Sequence, residues 1–268
     1  MRKLRIIAVM TMVICISKLC GAEEIHDDWI KLDSVFINQV KKLYISNPLS
    51  IESHLEPWEN SRVNLGFGYT LIQHSIGKGY VSIFYTFIYK DKKLVSYILK
   101  PQMPNESRLT KRYLSFYEGL FEIKNSQPQD LYCGYKYVTK PRGNIDNVLN
   151  VSSQIEYFMT PYSGVVYGDS GGIANEILDN RTAFNEVKES ITEDVLIYIL
   201  KSVNPATRLC AAELFNSKYE TFEQKDLIEN LIEMNFKELP QIETMSGCMQ
   251  HIDDARKVLN QMLDSNRC

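Results

Sequence analysis

Apolar and polar positions alternate along the chain from Val63 to Leu99. Val63, Leu65, Phe67, Tyr69 and Leu71 are apolar, with Asn64, Gly66, Gly68 and Thr70 between them. A period of two predicts a strand with one buried face. Ile76-Gly77-Lys78-Gly79 reads as a turn. Val81, Ile83, Tyr85, Phe87 and Tyr89 resume the alternation, and Phe84 and Ile88 add apolar mass on the other face, which predicts a central strand. Lys90-Asp91-Lys92-Lys93 is a second turn, and Leu94 to Leu99 a third strand ended by Pro101. Three strands on short turns form an antiparallel meander, and its apolar face needs a helical cover.

The flanks supply helices. Trp29, Leu32, Val35, Phe36, Val40, Leu43 and Tyr44 recur at three and four, which predicts an amphipathic helix over 27–45 stopped by Pro48. Leu109 to Leu120 reads as another. Leu131 to Thr139 is aromatic and strand-like, with Cys133, Tyr135 and Tyr137 on one face, and Gln154 to Thr160 alternates as a further strand. Beyond Ile173 the pattern is helical. Thr192 can cap a helix bearing Val195, Leu196 and Ile199; Asn204-Pro205 is an N-cap with proline at the first position; Thr221 and Gln224 form a capping box; and Pro240 opens a long helix with Met245, Cys248, Ile252, Ala255, Leu259 and Met262 on one stripe. The expected fold is α+β, in three parts: residues 1–22 as a leader, residues 23–179 as an antiparallel sheet domain with helical cover, and residues 180–268 as a small helical bundle. Within the last, Asn204 to Phe215 resembles the start of the second helix of a HEAT-type repeat. A solenoid needs about three repeats, and one is found.

Charge and compartment refine this picture. Arg2, Lys3 and Arg5 precede the apolar run Ile6–Ile16, and Cys20-Gly21-Ala22 offers small residues before Glu23, the layout of a secretory signal peptide. The protein is therefore expected to be secreted or periplasmic, with no membrane span after cleavage. Removal of Arg2, Lys3, Arg5 and Lys18 leaves 26 basic against 33 acidic side chains, a net of −7. That balance argues against nucleic acid or an anionic membrane as partner and favours a basic or neutral one. Four cysteines remain, and in an exported chain they are expected to pair: Cys210 with Cys248, and Cys133 with Cys268. The chain has no CxxC, and His26, His54, His74 and His251 are scattered, so neither a metal nor a cofactor is expected.

One segment carries candidate chemistry. Gly168-Asp169-Ser170-Gly171-Gly172 resembles the nucleophile segment of chymotrypsin-like serine proteases. The resemblance implies Ser170 as nucleophile and the amides of Gly168 and Ser170 as an oxyanion hole. That family's upstream histidine stands in an Ala-Ala-His-Cys context, which His26, His54 and His74 all lack, and Ile173 stands where the family has proline. The same residues are similar to the Gly-x-Ser-x-Gly nucleophile elbow of α/β-hydrolases, whose order of serine, acid and histidine is met by Ser170, Asp226 and His251. That fold alternates strands and helices around a parallel sheet, whereas this chain reads as a meander followed by helices. A structural role is the competing explanation: glycines for a tight turn, and Asp169-Ser170 as the cap of a helix over 173–178. With no complete catalytic constellation legible, the leading expectation is a non-enzymatic binding or inhibitory protein acting on an extracytoplasmic protein partner. The alternatives are a serine hydrolase using Ser170, with His251 and Asp226, and a structural component of the cell envelope.

Overall fold

The computed structural model describes residues 25–55, 61–143 and 149–265. The expected leader and Cys268 lie outside them. Helices and antiparallel sheets are mixed, an α+β fold. The first helix is α1 (Asp27–Ser46). The sheet follows: β1 (Arg62–Gly66), β2 (Tyr69–Gly77), β3 (Ser82–Lys90), β4 (Lys93–Pro101) and, after helix α2 (Thr110–Tyr117), β5 (Leu131–Cys133). The strands lie in the order β1-β2-β3-β4-β5, each antiparallel to its neighbour.

The alternation from Val63 to Leu71 is thus not one strand but a hairpin. Gly66 and Gly68 stand at φ 81° and 77°, and Phe67 between them at 54°. Two glycines that accept the left-handed region let the chain reverse there. Phe67 itself is held from outside. The Arg142 guanidinium lies 3.2 Å from the centre of its ring, the Glu238 carboxylate accepts its N–H at 2.8 Å, and Lys90 Nζ donates to its carbonyl.

Both faces of the sheet are buried. Odd-numbered residues of β3, Ile83, Tyr85, Phe87 and Tyr89, join Ile30, Phe36, Ile37 and Val40 of α1 and Tyr113 and Tyr117 of α2 in one core. Leu71 and Ile88, on the other face, pack with Leu65, Val138, Val165 and Val203. Along α1 the inward face carries Ile30, Phe36, Ile37 and Val40, while Trp29, Leu32 and Val35 are exposed. The helix is fixed in place by Asp33, whose buried carboxylate accepts the Tyr80 N–H at 2.8 Å and the Tyr113 hydroxyl. Its second oxygen has no partner among the described residues.

The helical half comprises α3 (Ser153–Met159), α4 (Asp179–Val187), α5 (Glu193–Ile199), α6 (Pro205–Ser217) and α7 (Lys225–Glu238). A hairpin of β8 (Gln241–Ser246) and β9 (Met249–Asp254) and a last helix α8 (Ala255–Ser265) complete it, with two short strands that precede α4 described below. Its core begins at Ile155, ahead of the expected division at 179/180, and runs to Leu259.

Several expected elements are corrected. The strand expected over 154–160 is instead helix α3, Ser153–Met159, because Ser152 Oγ accepts the Ile155 N–H at 3.3 Å and Ile155, Phe158 and Met159 meet the core at helical spacing. The strand expected over 131–139 stops at Cys133, since Gly134 turns at φ 67° with its Cα against the Val95 carbonyl, and Lys136–Thr139 is a short helical turn. The long helix expected from Pro240 is a hairpin about Gly247 (φ 54°) and then a helix from Ala255. The Thr221–Gln224 capping box does not form. Thr221 Oγ1 donates to the Lys218 carbonyl, and Glu193 of a neighbouring helix accepts the Glu223 and Gln224 N–H groups at 2.6 and 3.1 Å. The cap at Asn204 does form, its Oδ1 accepting the Ala206 and Thr207 N–H groups.

Cys133, Cys210 and Cys248 are free thiols, so the expected Cys210–Cys248 bridge is absent. Cys210 is buried on the inner face of α6, where burial pushes its thiol up to about 12, while Cys248 is exposed at the hairpin tip. No described helix is long and apolar enough to cross a membrane.

Two measurements test the α1 anchor. At Gly79 an added Cβ would lie 2.6 Å from the Trp29 carbonyl oxygen and 2.8 Å from Asp33 Oδ2. Gly79→Ala is expected to cost about 1–3 kcal/mol in urea unfolding, because backbone cannot yield there. Burial raises the Asp33 carboxyl above its ordinary 3.8, against the opposing hydrogen bonds from Tyr113 and Tyr80. A raised carboxyl favours folding below 3.8, and that contribution is lost as pH rises through the folded value. The stability of the wild type relative to Asp33→Asn should accordingly fall across that window; a constant difference would refute the assignment.

Candidate functional site

The Gly-Asp-Ser-Gly-Gly segment does not precede a helix. Two short strands, β6 (Ser170–Gly171) and β7 (Glu176–Ile177), pair Ser170 with Ile177 and Gly171 with Glu176, and α4 starts only at Asp179 (in chain order these two strands precede β8). Glycine at 171 lets the Met245 side chain of β8 pack directly on the backbone, where an added Cβ would displace it. The Gly172 N–H donates to the Gly247 carbonyl at 2.7 Å, so the tips of the two hairpins are joined. Ile173, at the turn, is 96% exposed.

Each polar side chain of the segment has a local partner. Asp169 forms an ion pair with Arg181 Nε at 3.1 Å, and that guanidinium is bound by Glu213 through two bonds of 3.0 and 2.9 Å. Tyr167 donates its hydroxyl to the same Glu213 carboxylate at 3.1 Å, and its own proton is held more tightly by burial and the Glu213 charge. Bidentate guanidinium–carboxylate pairing of this kind is rigid and strong. Asp169 therefore locks the loop onto α4 and α6. Ser170 Oγ donates to Asn175 Oδ1 at 2.8 Å across the turn.

The expected catalytic partners are partly gathered. His251, opposite Thr244 on β9, lines with Ser170 and Asp253 an open depression of about 360 Å³. The Asp253 carboxylate accepts the Thr244 hydroxyl. Asp226 sits exposed in the first turn of α7 and is not among the residues lining that depression. The upstream histidines lie in the sheet half: His26 beside Trp29, His54 on Gln39 at 3.0 Å, and His74 edge-on to Tyr85. Among the described residues no group of three or more His, Cys, Asp and Glu side chains is placed to hold a metal.

A second surface was half legible. The sequence places Tyr135 and Tyr137 on one face; the break at Gly134 instead turns Tyr135 back toward Tyr132. Tyr132, Tyr135 and Tyr162 form a triangle with ring centres 5.4, 5.8 and 6.2 Å apart, Tyr135 and Tyr162 nearly parallel at 10° and Tyr132 edge-on to both. Tyr162 is anchored by its hydroxyl, 2.6 Å from Ser96 Oγ, and its carbonyl accepts the Tyr157 hydroxyl at 3.2 Å. Tyr132 is 42% exposed and Tyr137 68%. The density of tyrosines in Tyr132-Cys133-Gly134-Tyr135 was the available signal; Tyr162 joins through tertiary contact alone.

No protein-family model, curated protein or solved structure matches the chain.

The ion pair at the loop gives a stability prediction. Removing Glu213 would leave the nearly buried Arg181 with only the exposed Asp169 as a charged partner. Glu213→Ala is expected to destabilise by about 3–5 kcal/mol in urea unfolding; a loss under about 1 kcal/mol, the range of an exposed pair, would refute the assignment.

Proposed function

We propose that this chain is an exported, non-enzymatic binding or inhibitory protein acting on a protein partner outside the cytoplasm. The observation that carries this reading is the tyrosine triangle. Aromatic side chains on fixed backbone lose little freedom when covered and are favoured anchors of protein recognition. The charge of residues 23–268, a net of −7, speaks for a basic or neutral protein rather than nucleic acid or anionic lipid. Export rests on the signal-like layout of residues 1–22.

The serine-hydrolase alternative keeps one supporting observation, that Ser170 and His251 line one depression. Against it stand the engagement of Ser170 with Asn175 and the position of Asp226. A triad needs its base on the nucleophile and a carboxylate behind the base.

Two experiments separate the readings. Immobilised chain lacking residues 1–22 is expected to retain one protein in stoichiometric amount from the extracytoplasmic fraction of its source. A fluorophosphonate probe is expected to leave the chain unlabelled. Labelling of the wild type that is lost in Ser170→Ala would overturn the binding reading in favour of a hydrolase.

A further inference from the structure

The hairpin of β8 and β9 has one covered edge and one open edge. It closes on Gly247-Cys248 with Gly247 at φ 54°, a two-residue loop whose flanking pair, Ser246 and Met249, exchanges hydrogen bonds. Bonded and non-bonded pairs then alternate down the ladder. Met249, His251 and Asp253 turn their backbone groups to β8, while Gln250, Ile252 and Asp254 turn theirs outward. The same parity points Glu243 outward on β8, and there its carbonyl accepts the Tyr167 N–H at 2.9 Å. Tyr167 bridges to Thr244 and covers that edge. Beside β9 no second strand lies among the described residues. Every residue of β9 is exposed, Met249 at 64% and Ile252 at 68%. It carries no lysine, proline or bulge, devices that keep an edge from pairing.

That edge is complementary to itself. A second copy added antiparallel must set outward groups against outward groups, which leaves few registers. Centred on His251, the pairing would oppose two imidazoles; centred on Asp253, two carboxylates. Centred on Ile252, it sets His251 opposite Asp253 of the second copy, and the reverse by symmetry, at non-hydrogen-bonded positions where side chains stand closest. We propose that β9 is a self-association edge, pairing antiparallel with β9 of a second copy about Ile252 to give a two-fold dimer whose sheet runs through both copies. The two Ile252 residues exchange both backbone bonds and cover each other's side chains. The Asp254 N–H meets the Gln250 carbonyl opposite it. Asp253 already accepts the Thr244 hydroxyl with one oxygen and offers the other to the imidazole. None of the tyrosines that carry the binding reading takes part, so either can fail without the other.

Sedimentation equilibrium of the chain lacking residues 1–22, taken up to about 1 mM, tests this. A thiol reductant is present because Cys248 is exposed at the hairpin tip. Reversible dimerisation is expected, and with it slower hydrogen exchange at the Ile252 amide as concentration rises. Ile252→Pro removes the outward N–H without touching the bonds to β8 and is expected to abolish the dimer. His251→Asp opposes carboxylates and Asp253→Lys leaves an imidazole against an ammonium; each is expected to weaken dimerisation about 10-fold. Mixed in equal amounts, these two variants are expected to associate at least as tightly as the wild type. The new carboxylate of one then faces the new ammonium of the other, and the retained His251 faces the retained Asp253. Thermal unfolding checks that each variant is folded, and should Ile252→Pro not fold, the mixture decides. The proposal is overturned by a wild type that stays monomeric at that concentration, by a dimer that survives in folded Ile252→Pro, or by a mixture that associates no better than either variant alone.

Discussion

The side chain of Arg208 holds the two halves of the molecule together. It is 2% exposed. Its guanidinium donates to the Ser202 and Val203 carbonyls at 3.0 and 3.4 Å and to the Leu65 carbonyl of β1 at 2.8 Å. Burying a cation is costly unless its donors are satisfied. Here carbonyls after the end of α5 and one carbonyl from the sheet take the two terminal nitrogens, while the buried Nε has no partner among the described residues. Burial and the nearby Arg142 charge accordingly lower the Arg208 proton affinity, with Glu238 opposing them. Arg142 makes the same kind of bridge, stacking on Phe67 while donating to the carbonyls of Leu200, Lys201 and Ser202. The β1–β2 turn is thus clasped by two arginines that also terminate a helix, which couples the angle of the sheet to the helical half.

Around that clasp lies a buried polar network that accounts for the residues resembling a repeat motif. Asn204 donates to the Thr160 and Gly164 carbonyls, both at 2.8 Å, and to Ser163 Oγ at 3.1 Å, while its oxygen caps α6. Thr207 donates to the Phe158 carbonyl and accepts from Asn180. The loop from Thr160 to Gly164 has almost no regular ladder of its own, so these side chains satisfy the backbone groups that burial would otherwise leave unpaired. Tyr162 stands in the middle of that loop. The precision of the tyrosine triangle derives from this network beneath it, which turns a loop residue into a fixed one.

The Gly-Asp-Ser-Gly-Gly loop shows why a short match to a catalytic segment says little by itself. The same composition that lets a nucleophile stand on a strained turn also lets two hairpin tips approach closely. At Gly171 the close neighbour is Met245, and at Asp169 the neighbour is Arg181. Both contacts come from parts of the chain the five residues cannot specify. The loop's charge is spent on holding the loop.

Local patterning determined the α+β class, the amphipathic helix α1, the alternation of β3 and the capped start of α6 at Asn204-Pro205. These depend on neighbours within a few residues, and periodicity reads such neighbours directly. Tertiary structure decided the rest. It split Val63–Leu71 at Phe67, because Arg142, Glu238 and Lys90 hold a left-handed residue there. It made a helix of residues 153–159 and a hairpin of 241–254, segments short enough to fit either period, whose outcome was set by what each side chain could bury against. It left Cys210 inside and Cys248 outside, and it brought Tyr162 to Tyr132 and Tyr135. Contacts between residues distant in sequence leave no period in the chain, so the sequence could supply Tyr132, Tyr135 and Tyr162, while only the fold could bring their rings together.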